Sequence, residues 1–139
     1  GLHAVADLSN VVVDTSAVTQ ADAFRAALTI LGPDRVLWGS DYMVSEFRGA
    51  CFSQGDGFTW VYSEDESAAD LSVFGSYTLV GIESLLCLRE ACEDCKLSVR
   101  QVEDIFRNNA LRWLAPHLEV DELMSGHMDS RAPERRSNR

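Results

Sequence analysis

The chain is expected to fold as an α/β unit built on parallel strands, and three stretches of sequence predict it. Val11-Val12-Val13 is a continuous β-branched run, the pattern of a strand buried on both faces. Phe24, Ala27, Leu28 and Leu31 recur at i, i+3, i+4 and i+7, which makes one apolar stripe on a helix. Val36-Leu37-Trp38, inside the segment 35–39, is a second short apolar run. Strand, helix, strand through short connections is a βαβ unit, so the two strands should lie parallel.

Each element has its own start and stop. Residues 2–8 read as the end of a helix, and Asn10 leads into the first strand, which Asp14-Thr15-Ser16 closes with polar side chains. The helix over residues 21–31 stops at Gly32 and Pro33, glycine just past the end and proline after it. The second strand ends in Ser40-Asp41-Tyr42, completing a first segment, 1–42. Residues 43–78 break this rhythm and are too long for an ordinary connection. They carry Phe47, Phe52, Phe58, Trp60, Tyr62, Phe74 and Tyr77, an aromatic content foreign to disordered segments. Gly55-Asp56-Gly57 is a turn signal between Cys51–Ser53 and Phe58–Tyr62, and it predicts a β-hairpin flap closed by the acidic patch Glu64-Asp65-Glu66. Residues 79–118 read as closing helices: one over 79–96, one over 99–107 opened by a Ser98/Gln101 capping box with Val102, Ile105 and Phe106 inward, and a last one capped by Asn109 with Leu111 and Leu114 buried. The polar stretch 119–139 reads as a disordered tail.

Composition excludes several function classes. The net charge is −10, and residues 125–139 hold four arginines against Asp129 and Glu134, which leaves −12 on the remainder. An acidic body argues against nucleic-acid partners, which need Lys and Arg to neutralise phosphates. No apolar run reaches the roughly 18 residues of a spanning helix, and no signal peptide opens the chain, which starts at Gly1 rather than Met. With four cysteines, Cys51, Cys87, Cys92 and Cys95, an ordinary core and no leader, reduced thiols and a cytoplasmic setting are expected. Cys87, Cys92 and Cys95 have the C-x4-C-x2-C spacing of part of an iron–sulfur motif. On a helix, however, Cys87 would lie about 140° from Cys92, so three thiols cannot converge. Cys92 and Cys95 share a face with Leu85 and Leu88, so buried thiols are the expectation there. His3, His117 and His127 have no ligand-pair spacing, and Glu64, Asp65, Glu66 and Asp70 lack the spacing of a calcium loop.

Two segments, Asn10–Ser16 (NVVVDTS) and Gly32–Tyr42 (GPDRVLWGSDY), together with Asp104–Leu114 (DIFRNNALRWL), resemble the last two barrel strands and the closing helix of the amidohydrolase-related family. That family comprises metal-dependent hydrolases and nonoxidative decarboxylases on a (β/α)8 barrel. The chain departs from its pattern at Met43, where proline is frequent, and at Asn108, where glycine is common. The resemblance implies the C-terminal part of a TIM barrel: the last two strands, a flap and the closing helices. It implies a divalent metal ion, zinc by expectation, with most ligands missing from this chain, because the H-x-H of strand one is not here. A barrel of this kind takes about 200 residues or more, so the missing N-terminal part of the barrel is an expected partner, homo-oligomers are left open, and the isolated chain is expected to be inactive with poorly covered strand faces.

By the motif, Asp41 is the aspartate that ends strand eight, acting as metal ligand or proton-transfer group. The physics agrees, because catalytic residues of barrels lie at the C-terminal ends of strands and a carboxylate there can hold a cation or take a proton from water. Arg48 and Trp60, on the loop that follows, are the candidate substrate-binding residues, one for a bidentate grip on a carboxylate and the other, with Tyr62, as a pocket wall. The plainer readings are a surface ion pair for Arg48, hairpin packing for Trp60, and a structural turn for Asp14 at the end of the other strand. The function expected is hydrolysis or decarboxylation of a small carboxylate-bearing or lactone substrate. The competing reading is a non-catalytic remnant that docks on another chain through its open sheet edge and flap.

Overall fold

A computed structural model of the chain describes residues 1–55, 57–62 and 77–117. The βαβ unit is present: β1 (Val13–Asp14) runs parallel to β2 (Val36–Leu37), with Val13 opposite Val36 and Asp14 opposite Leu37, and α1 (Ala21–Ile30) connects them. The paired stretches are shorter than the apolar runs. Val11, Val12 and Val13 are only half-buried while Val36 is buried, because each strand has a single neighbour among the described residues and its other edge lacks the partner that a buried parallel strand needs. The first residues form a 3-10 turn, Leu2–Val5, rather than a helix end. One side chain ties that segment down. The Arg35 guanidinium donates to the carbonyls of Val5, Ala6, Leu8 and Val11, using its planar fork as a main-chain clamp.

The α1 stripe is as its spacing requires: Phe24, Ala27, Leu28 and Leu31 are all buried. Gly32 then takes φ +89°, a left-handed conformation open to glycine, and Pro33 follows. Helix α2 (Tyr42–Ser45) is a single turn after β2. The flap is an antiparallel pair, β3 (Gly49–Gln54) and β4 (Gly57–Tyr62), in register Cys51↔Trp60 and Ser53↔Phe58. Gly55 supplies φ +59° at the turn, the positive φ that a two-residue hairpin loop demands. The acidic patch 64–66, Asp70, Phe74, His127 and the tail 119–139 lie outside the described residues.

Helix α3 (Val80–Asp94) packs on α1, burying Val80, Ser84, Leu88, Ala91 and Cys92. That stripe leaves Leu85 exposed and Cys87 and Cys95 half-buried, so of the two thiols expected to be buried, Cys92 and Cys95, only Cys92 is. The helix ends with Lys96 left-handed at φ +54°, Leu97 N–H on the Cys92 carbonyl and Lys96 N–H on that of Glu93, a Schellman termination without glycine. Arg25 of α1 meets Asp22, Glu90 and Asp94 on the outer surface. These carboxylates, Asp22 first, raise the pKa of its guanidinium, but ion pairs this exposed add little stability.

The capping box at Ser98 and Gln101 is formed, opening α4 (Val99–Glu103). The chain then widens into a π-helical turn, Asp104–Asn108, and re-forms α5 (Asn109–Leu114) without a break. The wider turn lets the Ile105 carbonyl accept from Trp38 N–H at 2.9 Å, which docks the end of β2 onto the closing helices. Phe106, expected to face inward, is exposed and packs on Trp38 with ring centres 5.1 Å apart. Asn109 is not a cap but a fully buried residue, and Leu111 and Leu114 are exposed rather than buried. Between α3 and α4 an apolar groove of about 450 Å³ runs past Leu85, Leu88, Leu97, Val102 and Phe106.

Burial sorts the thiols. All four cysteines are unpaired. Burial pushes the Cys92 thiol up, with Cys95 and Glu93 adding to it, and a raised pKa means less thiolate near neutrality. Maleimide labelling of the folded protein near neutral pH is therefore expected to reach Cys92 last, with its rate rising as pH rises and jumping on unfolding. Labelling of Cys92 as fast as Cys95 in the folded protein would contradict this packing.

Candidate active site

The C-terminal ends of β1 and β2 meet through one threonine. Thr15 is completely buried, its hydroxyl donating to the Gly39 carbonyl at 3.1 Å and accepting from Gly39 N–H at 3.0 Å. A β-carbon at Gly39 would stand 2.6 Å from Ser16 Oγ, so a larger residue there would make the Ser16 side chain turn away. Asp14 is exposed, and its Oδ1 accepts from Ser16 N–H at 2.8 Å, a local turn that matches its structural reading.

Two residues beyond Gly39, Asp41 adopts φ +47° and ψ +63°. Aspartate enters this left-handed region more readily than most residues, but it remains a conformation stored mainly at turns and functional sites. The bend turns the chain out of the strand direction into α2, where Ser45 N–H bonds the Asp41 carbonyl at 2.9 Å. The Asp41 carboxylate is exposed and makes no hydrogen bond or ion pair among the described residues, which leaves all its lone pairs open.

The flap is fixed over this mouth by the segment after β1. Thr19 repeats the geometry of Thr15: its hydroxyl donates to the Cys51 carbonyl at 2.9 Å and accepts from Cys51 N–H at 2.7 Å. Gln20 Oε1 accepts from Ser53 N–H and Ser53 Oγ. A cleft of about 490 Å³ lies between the segment 16–20, Asp41 and the hairpin face of Cys51, Ser53, Phe58, Trp60 and Tyr62. Trp60 and Tyr62 stack in parallel planes with ring centres 5.6 Å apart.

The structure thus brings Asp41 and Trp60 to one cleft and does not bring Arg48 there. Arg48 shares the strand parity of Ala50 and Phe52, opposite to Cys51 and Ser53, and its backbone bridges to Leu79. Its exposed side chain is not among those lining the cleft. The residues that the sequence reading passed over are Thr19 and Gln20. Polar side chains in an otherwise small and apolar segment, Ala17-Val18-Thr19-Gln20-Ala21, were the available signal. Replacing Thr19 with Val is expected to cost about 1–3 kcal/mol, since it strands the Cys51 N–H and carbonyl, and to show as faster amide hydrogen exchange at Cys51. Unchanged exchange there would mean that the flap is held by other contacts.

No group of three or more His, Cys, Asp or Glu that could hold a metal occurs among the described residues. His3 is exposed in the first turn, and Cys87, Cys92 and Cys95 do not converge on one point. Among the described residues no helix is long and apolar enough to cross a membrane. A family model described as amidohydrolase matches residues 1–115. No curated protein and no solved structure matches the chain.

Proposed function

The chain belongs to the amidohydrolase family, and from that premise we propose that it forms the C-terminal portion of a (β/α)8 barrel enzyme that hydrolyses or decarboxylates a small carboxylate-bearing or lactone substrate. Membership points to hydrolase activity in general, to a TIM-barrel fold and to a family whose members typically use metal ions. The finer reading is carried by one observation. A carboxylate with no partner of its own among the described residues sits just past the end of a parallel strand and faces a cleft, where barrel enzymes place their chemistry. The open edges of β1 and β2 and the apolar groove beside α3 support a missing part of the barrel as the neighbour of this chain. A cytoplasmic setting is in keeping with four unpaired thiols. The interaction-module alternative is not favoured by the family match.

A metal fits here only in part. Asp41 offers one free carboxylate, and the described residues do not complete a site around it. A divalent ion, zinc in our reading, would take its other ligands from the rest of the barrel and, when bound, would polarise the substrate or activate water. What this chain's own residues do is separate. Asp41 accepts and returns a proton at its carboxylate oxygens, the flap shields the cleft from water, Trp60 walls the substrate, and Arg48 would reach a substrate carboxylate only from outside the cleft wall. The test is turnover of the complete protein with Asp41→Asn, with folding and metal content measured on the same sample. Turnover equal to the parent protein overturns the assignment.

A further inference from the structure

We propose that Thr15 is the positioning residue for Asp41, holding through Gly39 the backbone bend that aims the carboxylate, an inference that rests on the enzyme reading above. The need for such a residue is visible at Asp41 itself. Its carboxylate makes no hydrogen bond or ion pair among the described residues, so no contact at the head of the side chain sets its direction. The aim has to come from the main chain. Precision matters there, because misplacing a reacting group by about 1 Å costs on the order of a hundred-fold in rate.

The main chain bends in the same way at both strand ends. Ala17 stands at φ +58° and Asp41 at φ +47°, and both line the cleft. Each comes two residues after one member of the hydrogen-bonded pair Thr15 and Gly39. A left-handed backbone at a residue with a β-carbon is unfavourable and persists only where the surroundings over-determine it. One residue supplies those constraints. Thr15 N–H donates to the Leu37 carbonyl at 3.0 Å, its hydroxyl engages both main-chain groups of Gly39, and its carbonyl accepts from Val18 N–H at 3.3 Å. The bond from Val18 closes the turn that contains Ala17, and the hydroxyl pins the chain two residues before Asp41. Beyond the bend, Ser45 N–H on the Asp41 carbonyl holds the other side. Thr15 is wholly buried and is not among the residues lining the cleft. It acts on the reaction only through Asp41, so its loss should lower kcat and leave KM in place.

The experiment compares Thr15→Val, which keeps the shape and removes the hydroxyl, with Thr15→Ser, which keeps the hydroxyl, in the complete protein. Should the valine variant not fold, Thr15→Cys takes its place, because a thiol is only a weak donor and acceptor. Amide hydrogen exchange is read at Ser45 and referred to Leu97, whose N–H is held by the Cys92 carbonyl at the end of α3. Exchange at Ser45 is expected to quicken about ten-fold relative to Leu97 in Thr15→Val. With dihydrocoumarin as the lactone probe, kcat per folded molecule is expected to fall about ten- to a hundred-fold with KM within about two-fold of the parent value. Thr15→Ser is expected to recover most of both losses. Exchange at Ser45 that moves only in step with Leu97 overturns the inference, as does a kcat at the parent value in Thr15→Val or a loss that serine does not recover. The exchange comparison needs no substrate and decides by itself where the lactone is not turned over. Turnover lost in Asp41→Asn but kept in Thr15→Val removes this inference and leaves the enzyme reading, whereas turnover kept in Asp41→Asn removes the enzyme reading.

Discussion

Asp41→Asn in the complete protein is expected to leave folding intact and to lower kcat by about a hundred- to ten-thousand-fold, the range that a positioned proton-transfer group contributes. Folding should survive for two reasons visible at the residue. The carboxylate contributes no hydrogen bond or ion pair among the described residues, so none is lost. Asparagine also enters the left-handed conformation that φ +47° requires. Asp41→Ala lacks the second advantage and should lose stability as well, since alanine enters the left-handed region less readily than aspartate or asparagine. The pair separates the two roles: a kcat loss shared by both variants belongs to the carboxylate, and a thermal shift confined to alanine belongs to the backbone. A kcat within a few-fold of the parent protein in Asp41→Asn would return Asp41 to the role of a turn residue.

Asn109 is expected to dominate stability. Its Nδ2 donates to the carbonyls of Pro33 and Val36 at 2.7 and 2.8 Å, its Oδ1 accepts from Arg112, and the residue is wholly buried. One side chain therefore satisfies the main chain at both ends of the turn that feeds β2. Asn109→Asp keeps the size and the Arg112 contact but removes both donors, and it sets an oxygen against two buried carbonyl oxygens. A loss of about 3 kcal/mol or more is expected, the cost of two stranded acceptors. Denaturant unfolding of the complete protein measures it. A loss below about 1 kcal/mol would mean that those carbonyls find other donors. Asn109→Ala should be comparable, adding a cavity where the aspartate variant adds repulsion.

The parts legible in the sequence were those written in local periodicity and turn chemistry. Phe24, Ala27, Leu28 and Leu31 name the buried face of α1 by spacing alone, Gly55-Asp56-Gly57 marks the hairpin, and Ser98 with Gln101 marks the start of α4. What stayed hidden depends on contacts between residues far apart in the chain. Asn109 looks like a helix cap because Asn commonly is one, and only the approach of Pro33 and Val36 turns it into a core residue. The π turn at Asp104–Asn108 leaves no local signature, and within it Ile105 is buried while Phe106 is exposed. In the site, Asp41 was found through a motif, whereas Thr19 and Gln20 escaped because their partners, Cys51 and Ser53, lie more than thirty residues on. Arg48 was placed in the pocket by proximity in sequence, and strand parity sends it to the other face.

The two threonine clips have a consequence for how this mouth can be altered. Thr15 holds Gly39 and Thr19 holds Cys51 wholly through main-chain atoms. Apart from the Ser53 hydroxyl on Gln20, this anchorage is thus indifferent to which side chains the flap displays. Positions 58, 60 and 62 can be diversified in a library while the hairpin keeps its seat, which makes this face a natural starting place for redesigning selectivity by directed evolution.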